Sequence, residues 1–301
     1  MRLLYCHNLY NYIIFTLEPA SGIANRMMRE RGVEFMVFAL CGGDERTARL
    51  AGLLLADGHG VKVWALEDAP LPDGVLPCLS AAQCRDGAGC VVLPMPATSK
   101  RGFLNAPFSR RMHCLSELFS SLEPDSLVCA GAVTGELAEL AEARGVHLRD
   151  YGALESYRDV NSLATAEGTI GVLLSETTEV LCGKRAVIIG MGHITSQLAP
   201  KLAALGMDVA VASRSPDSRS KAALLGFDAL DTANLAGTIS DADIIINTAP
   251  SLVLTASRLV ELKPGALVLD LASKPGGTDF DAARAFGIRA PTAPGLPGKW
   301  A

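Results

Sequence analysis

A run of branched aliphatics, Val187-Ile188-Ile189, leads straight into Gly190-Met191-Gly192 and then His193-Ile194-Thr195. No other stretch restricts the fold of this chain as much. It reads as a strand, a glycine turn and the first turn of a helix. The glycine at 190 permits a tight turn, and the one at 192 lets the backbone approach a pyrophosphate. The helix start at His193 and Ile194 then offers N–H groups to that anion. Thr195 stands where the fingerprint has its third glycine, so the strand–helix packing is expected to be slightly looser. Glycines alone identify only a βα turn, and the surrounding elements must supply the rest.

They supply a second feature at the right offset. About 20 residues past the glycines, a Rossmann strand ends in the group that reads the adenosine ribose. Here Val209-Ala210-Val211-Ala212 ends in Ser213-Arg214-Ser215. An acid at that point would hold two ribose hydroxyls and repel a phosphate. A guanidinium between two hydroxyls instead suits a 2′-phosphate, which predicts NADP rather than NAD. Two further strands, Ile244–Asn247 and Ala266–Asp270, turn out at small polar residues. Asn247, Thr248 and Ala249 are expected to line the cofactor rim.

The remaining pattern is an α/β alternation from about residue 34 onward. It predicts strands over 35–40, 61–65, 91–93, 127–130, 184–190 and 208–212. Helices are predicted over 46–57, 135–144, 194–205 and 219–225, with a long connecting helix over 165–181. The segment Met95–Phe108 reads as a loop beyond a strand end. The expected fold is therefore α/β with two doubly wound parallel-sheet domains, the second an NAD(P)-binding Rossmann fold. The boundaries are an extension at 1–34 outside the fold, an N-terminal substrate or partner domain at 35–160, and the NADP-binding domain at 161–301. Met27, Met28 and Met36 are alternative starts that would leave the folded part nearly unchanged.

Composition removes several function classes. A net charge of −5 supplies no basic face for nucleic acid. No apolar run reaches the roughly 18–20 residues a membrane helix needs, so a soluble, cytoplasmic chain is expected. The eight cysteines contain no Cys-x-x-Cys pair, and Cys78, Cys84 and Cys90 are six apart. That spacing does not build a zinc site, and free thiols are expected.

Several motifs carry a family resemblance. The segment from Asp270 through Lys274-Pro275-Gly276-Gly277-Thr278-Asp279 to Phe280, and the later Ala293-Pro294-Gly295-Leu296-Pro297-Gly298-Lys299, resemble the A-subunit of bacterial dipicolinate synthase. So do Gly42-Gly43-Asp44-Glu45-Arg46 and the stretch from Asn161 to Ile170. The resemblance runs from about Phe35 to the end and implies a further helix beyond Ala301. It implies a sporulation oxidoreductase that uses NADP to oxidise dihydrodipicolinate, or its hydroxytetrahydro precursor, to dipicolinate. It also implies that the partner is the flavoprotein-like B-subunit of the same synthase, in a homo- or hetero-oligomer.

From the resemblance come the remaining site expectations. Arg46 and Lys274 are expected to hold the two substrate carboxylates across a cleft, with Thr98 and Lys299 as further substrate contacts. Lys100 and Arg101 in the Pro-rich loop are the fallback. Asp44, Glu167 and Asp279 are the candidate bases, with Glu167 placed at the start of the connecting helix. His113 is the one histidine in a first-domain loop region. Two other readings stand beside this one. One is a related oxidoreductase of the shikimate-dehydrogenase or 2-hydroxy-acid type. The other is a non-catalytic NADP-binding scaffold for the flavoprotein.

Overall fold

The computed structural model describes residues 35–273 and 276–300, the last by its backbone alone. The chain divides into two compact units, one ending at Val160 and the other running from Asn161 to Trp300.

In the first unit β1 (Val37–Cys41) is followed by α1 (Glu45–Ala56), β2 (Gly60–Trp64), β3 (Leu76–Pro77) and α2 (Ala81–Arg85). Next come β4 (Cys90–Val92) and a small antiparallel hairpin of β5 (Thr98–Lys100) and β6 (Phe103–Leu104). The unit continues with α3 (Leu115–Ser120), β7 (Leu127–Ala130), α4 (Gly135–Arg144) and β8 (His147–Asp150). Its main sheet has the order β3-β2-β1-β4-β7-β8, and every pair in it is parallel. The alternation along β1 explains the two-sided burial. Phe38 and Leu40 face Leu50 and Leu54 of α1, while Ala39 and Cys41 join Leu115, Leu118 and Leu137 on the other face.

Helix α5 (Glu155–Glu176) starts ten residues before the predicted connecting helix and stops five short of its end. The early part carries few apolar residues, which hides it from a periodicity reading. At its late end the helix stops at Glu176, where the Thr177 N–H and hydroxyl both donate to the Leu173 carbonyl, at 3.0 and 2.8 Å.

The second unit contains β9 (Arg185–Ile189), α6 (His193–Ala204), β10 (Asp208–Ser213), α7 (Pro216–Leu224) and β11 (Asp228–Asp231). It closes with β12 (Ile244–Asn247), α8 (Ala256–Leu259), β13 (Leu267–Asp270), α9 (Phe280–Ala285) and α10 (Leu296–Trp300). The sheet order is β11-β10-β9-β12-β13, again all parallel. Ile188, Val211 and Ile246 pack on Leu198 and Leu202 of α6, whereas Val187, Ile189 and Ile245 pack on Leu254 and Leu259.

In both sheets the strand order reverses at the first strand. The crevice beyond the strand ends at such a reversal is where open α/β sheets take their ligands. Among the described residues no helix is long and apolar enough to cross a membrane.

Candidate functional site

The crevice of the second unit is bounded by the turn after β9 and the turn after β12. Gly190 has φ +101, and a Cβ there would lie 2.4 Å from the Thr248 Oγ1. That hydroxyl donates to the Ile189 carbonyl at 2.8 Å, so the β12 turn closes tightly over the glycine. Gly192 differs. It is the N-cap of α6 in extended backbone, with no side chain capping the helix, and a Cβ there would meet nothing within 4 Å. The start of α6 therefore carries no side-chain cap, and Gly192 leaves room beside its N–H groups, as a dinucleotide pyrophosphate requires.

Thr195 corrects the expectation of looser packing. Its side chain is wholly buried, and its hydroxyl donates to the Gly190 carbonyl at 2.8 Å. The threonine fills the strand–helix contact and ties α6 to the turn below it.

At the end of β10, Ser213 is buried while Arg214 and Ser215 are exposed. Ser215 caps α7 by accepting from the Ser218 N–H. The Arg214 guanidinium makes no hydrogen bond or ion pair to the described protein, and no acid stands at its own strand end. Arg219, which strand-end spacing does not single out, donates from one nitrogen to the Ser213 carbonyl at 3.0 Å and the Arg214 carbonyl at 2.9 Å. The same nitrogen lies 3.1 Å from Asp231 at the end of β11. An arginine five residues after Arg214, on the helix that leaves the same turn, is the signal that could have found it.

Asn247 is not a rim residue. It is fully buried, and its amide donates to Asp270 and to the Ala249 carbonyl, both at 3.0 Å. Asp270 also accepts from the Ala272 N–H at 2.9 Å and the Gly277 N–H at 3.0 Å. A Cβ on Gly277 would come within 2.3 Å of the Asn247 amide, which accounts for glycine in that motif. This network joins the ends of β12 and β13, so the polar groups buried there satisfy one another. Thr248 and Ala249 are half-buried beside Gly190 and remain on the crevice.

The first unit offers the same crevice already filled. A Cβ on Gly42 would lie 2.8 Å from the Asn105 carbonyl, and one on Gly43 would lie 1.9 Å from the Thr47 hydroxyl. Segment 97–105 lies over the turn, with the Gly43 N–H donating to Asn105 at 2.9 Å. Asp44 caps α1 by accepting from the Arg46 N–H at 3.0 Å. It also takes the Arg46 guanidinium at 2.7 and 2.8 Å, and the same guanidinium bonds the Met95 carbonyl. Arg46 is thus a buried structural cation, not a hand for a substrate carboxylate, and Asp44 is its counter-ion and a helix cap rather than a base.

The other expected residues scatter. Glu167 lies in mid-helix α5, not at its start, and pairs with Lys201 at 3.2 Å. Asp279 caps α9 by accepting from the Ala282 N–H at 3.0 Å. Thr98 sits half-buried on β5, since the loop expected over 95–108 contains a small hairpin at 98–104 and is irregular on either side of it. Lys100 and Arg101 are exposed at the hairpin tip, and the Lys100 ammonium lies 5.5 Å over the Phe103 ring. His113 contacts Ser109 at 2.8 Å and the edge of Trp64. Lys299 is exposed on α10. Lys274 and the extension 1–34 lie outside the described residues.

The described cysteines are free thiols. Burial pushes Cys78 up to about 11, and the Cys41 hydrogen bond pushes Cys84 far above the ordinary thiol range. Neither is a reactive thiolate.

Residues 37–152 match the N-terminal domain of the dipicolinate synthase A-subunit, and residues 165–273 match the NAD-binding domain of D-isomer specific 2-hydroxyacid dehydrogenases. The second unit is thus a nicotinamide-dinucleotide-binding Rossmann domain. The dipicolinate synthase A-subunit of Bacillus subtilis (strain 168) is 34% identical over 212 residues, 69% of this chain and 70% of that protein. The crystal structure of the dipicolinate synthase A-subunit from Bacillus halodurans superposes with a TM-score of 0.78 at 29% identity, covering 88% of this chain and 92% of the other. The corresponding crystal structure from Bacillus subtilis gives 0.76 at 28% identity, covering 90% and 92%.

Proposed function

This chain belongs to the dipicolinate synthase A-subunit family, and from that membership we propose that it oxidises a dihydrodipicolinate-type dicarboxylate, or its hydroxytetrahydro precursor, to dipicolinate with NADP. The observation that carries the cofactor half is the end of β10. Arg214 stands there without a partner among the described residues, where an NAD site has an acid, and a Cβ at Gly192 on the phosphate-facing turn would meet nothing within 4 Å.

The cofactor would be held by the N–H groups of the α6 start, by the Thr248–Ala249 turn and by the Ser213-Arg214-Ser215 segment. When bound, its nicotinamide would supply the hydride acceptor and the second hydrogen would leave as a proton, and the hydroxytetrahydro precursor would in addition lose its hydroxyl as water. Aromatisation drives that step, so a water molecule or an ordinary carboxylate suffices as base. The protein's task is then positioning. With Arg46 tied to Asp44, carboxylate recognition in the first unit falls to Lys100 and Arg101 on the hairpin tip.

The reading includes a cytoplasmic location in sporulating cells and the flavoprotein-like B-subunit as partner. The structural duties of Asp44, Glu167 and Asp279 favour one alternative, a scaffold that binds NADP while the flavoprotein partner does the chemistry.

The test has two arms. Arg214→Ala should weaken NADP by about 1.5–3 kcal/mol, the scale of a charged hydrogen bond, and leave NAD nearly unchanged. Equal losses for both cofactors would sink the NADP assignment. Dipicolinate formed by the purified chain without its flavoprotein partner would exclude the scaffold.

A further inference from the structure

Arg214 has acidic company. Asp217 stands in the first turn of α7, and Asp231 ends the neighbouring strand, in register with Ser213. The Asp231 carboxylate at the neighbouring strand end offsets charge there, so Arg214 alone gives a phosphate only weak attraction. A phosphate-reading site at this strand end needs a second cation.

Arg219 is that cation by position. One guanidinium nitrogen is occupied by the Ser213 and Arg214 carbonyls and by Asp231. The other two nitrogens have no hydrogen-bond partner among the described residues, and the side chain is 24% exposed. A guanidinium carries five N–H groups in a fixed fork, so anchoring by one nitrogen leaves an edge for bidentate contact with an anion. The anchored nitrogen also fixes the two carbonyls from which the Arg214 side chain departs.

We infer that Arg219 is the second cation of the adenosine-phosphate pocket and that Asp231 limits its strength. Arg219 both holds the β10–α7 turn and faces the 2′-phosphate. Asp231 orients the guanidinium and offsets part of its charge, which keeps cofactor exchange possible. This inference rests on the NADP assignment above.

Calorimetric titration of the full chain with NADP, NAD and adenosine 2′,5′-bisphosphate tests it, using Arg219→Gln, Arg219→Lys, Asp231→Asn and Arg214→Ala. Arg219→Gln should lose about tenfold or more in affinity for NADP and the bisphosphate, the scale of one charged contact, with NAD within about twofold. Arg219→Lys should recover part of that loss by restoring the charge. Asp231→Asn should tighten NADP by about two- to fivefold, as expected when a nearby repulsive carboxylate is removed, and leave NAD alone. If Arg219→Gln weakens NADP and NAD equally, Arg219 is only a turn brace and the inference fails. It also fails if neither affinity changes, or if Asp231→Asn weakens NADP. The two claims separate cleanly. A selective effect of Arg214→Ala with a non-selective Arg219→Gln overturns this inference alone. A non-selective Arg214→Ala, or tighter NAD than NADP in the unsubstituted chain, overturns the NADP assignment and this inference with it.

Discussion

The two glycines of the β9 turn should fail in different ways when each is given a methyl group. At Gly190 the new Cβ meets two obstacles. The backbone sits at φ +101, where an alanine costs about 1–3 kcal/mol. The Cβ would also lie 2.4 Å from the Thr248 hydroxyl, so that side chain must leave the Ile189 carbonyl and forfeit about 1 kcal/mol more. Gly190→Ala should therefore destabilise the second unit by about 2–4 kcal/mol, a fall of about 5–15 °C in melting temperature for a unit this size. Gly192 has extended backbone and an empty neighbourhood. Gly192→Ala should cost only a few tenths to about 1 kcal/mol, because alanine is merely a poorer N-cap.

Cofactor affinity should show the reverse independence. A methyl group at Gly192 stands between the pyrophosphate and the N–H groups of α6. Losing one charged contact at about 1.5–3 kcal/mol lowers affinity about 10- to 150-fold in a protein that still folds. Thermal unfolding and calorimetric titration on the two variants read both quantities. Gly43→Ala is the control, since its Cβ would lie 1.9 Å from the Thr47 hydroxyl in the other unit. It should destabilise the first unit and leave cofactor affinity untouched. Normal binding by folded Gly192→Ala would refute the reasoning, because the open space would then not be the phosphate path.

Three further outcomes follow from the packing. Arg46→Ala should cost the first unit about 3 kcal/mol in chemical denaturation, because it strands the Asp44 carboxylate and the Met95 carbonyl, and cofactor affinity should not change. Thr195→Gly restores the usual fingerprint, yet it should destabilise the second unit by about 2 kcal/mol through a lost hydrogen bond, a cavity and a glycine in a helix. His59 is buried with neither ring nitrogen hydrogen-bonded among the described residues, and burial holds its pKa below the usual 6.5. The unfolded chain then takes up the proton first, so stability should be full above about pH 6.5 and fall as pH drops toward the folded pKa. Melting curves of the chain and of His59→Phe between pH 7.5 and about pH 5 check this, and a slope that survives the substitution would assign it to other groups.

The central strands are legible in sequence because both faces are covered, which makes them unbroken aliphatic runs such as Val187–Ile189 and Ile244–Ile246. Three of the four edge strands are not. Leu76–Pro77, His147–Asp150 and Asp228–Asp231 are short and carry proline or charge, as sheet edges do to resist further pairing, and those traits erase the apolar signal. The same limit governs the site. Spacing locates the Gly190 turn and the Ser213-Arg214-Ser215 end, since both depend on offsets along one βαβ unit. It cannot say that Asn247 is spent on Asp270, or that Arg46 is spent on Asp44 and Met95, because packing between separate segments decides those pairings. Residue type suggests what a side chain can bind, and only packing decides whether it is still free to do so.

The two sheets share the strand order around their first strand, yet only one is equipped to take a dinucleotide. The difference lies in how each helix N-terminus is satisfied. In the second unit α6 begins at a bare glycine, so the positive end of its helix dipole carries no side-chain cap. In the first, the Asp44 carboxylate already caps α1, and segment 97–105 covers the glycine turn. That carboxylate acts as a built-in anion with Arg46 as its counter-ion. A phosphate approaching there would meet like charge and would have to displace a buried ion pair, whose broken partners cost about 3–5 kcal/mol. Dinucleotide binding is thereby excluded from the first unit by the same geometry that stabilises it. Lys100 and Arg101 at the hairpin tip are exposed, as the carboxylate recognition proposed for this unit requires.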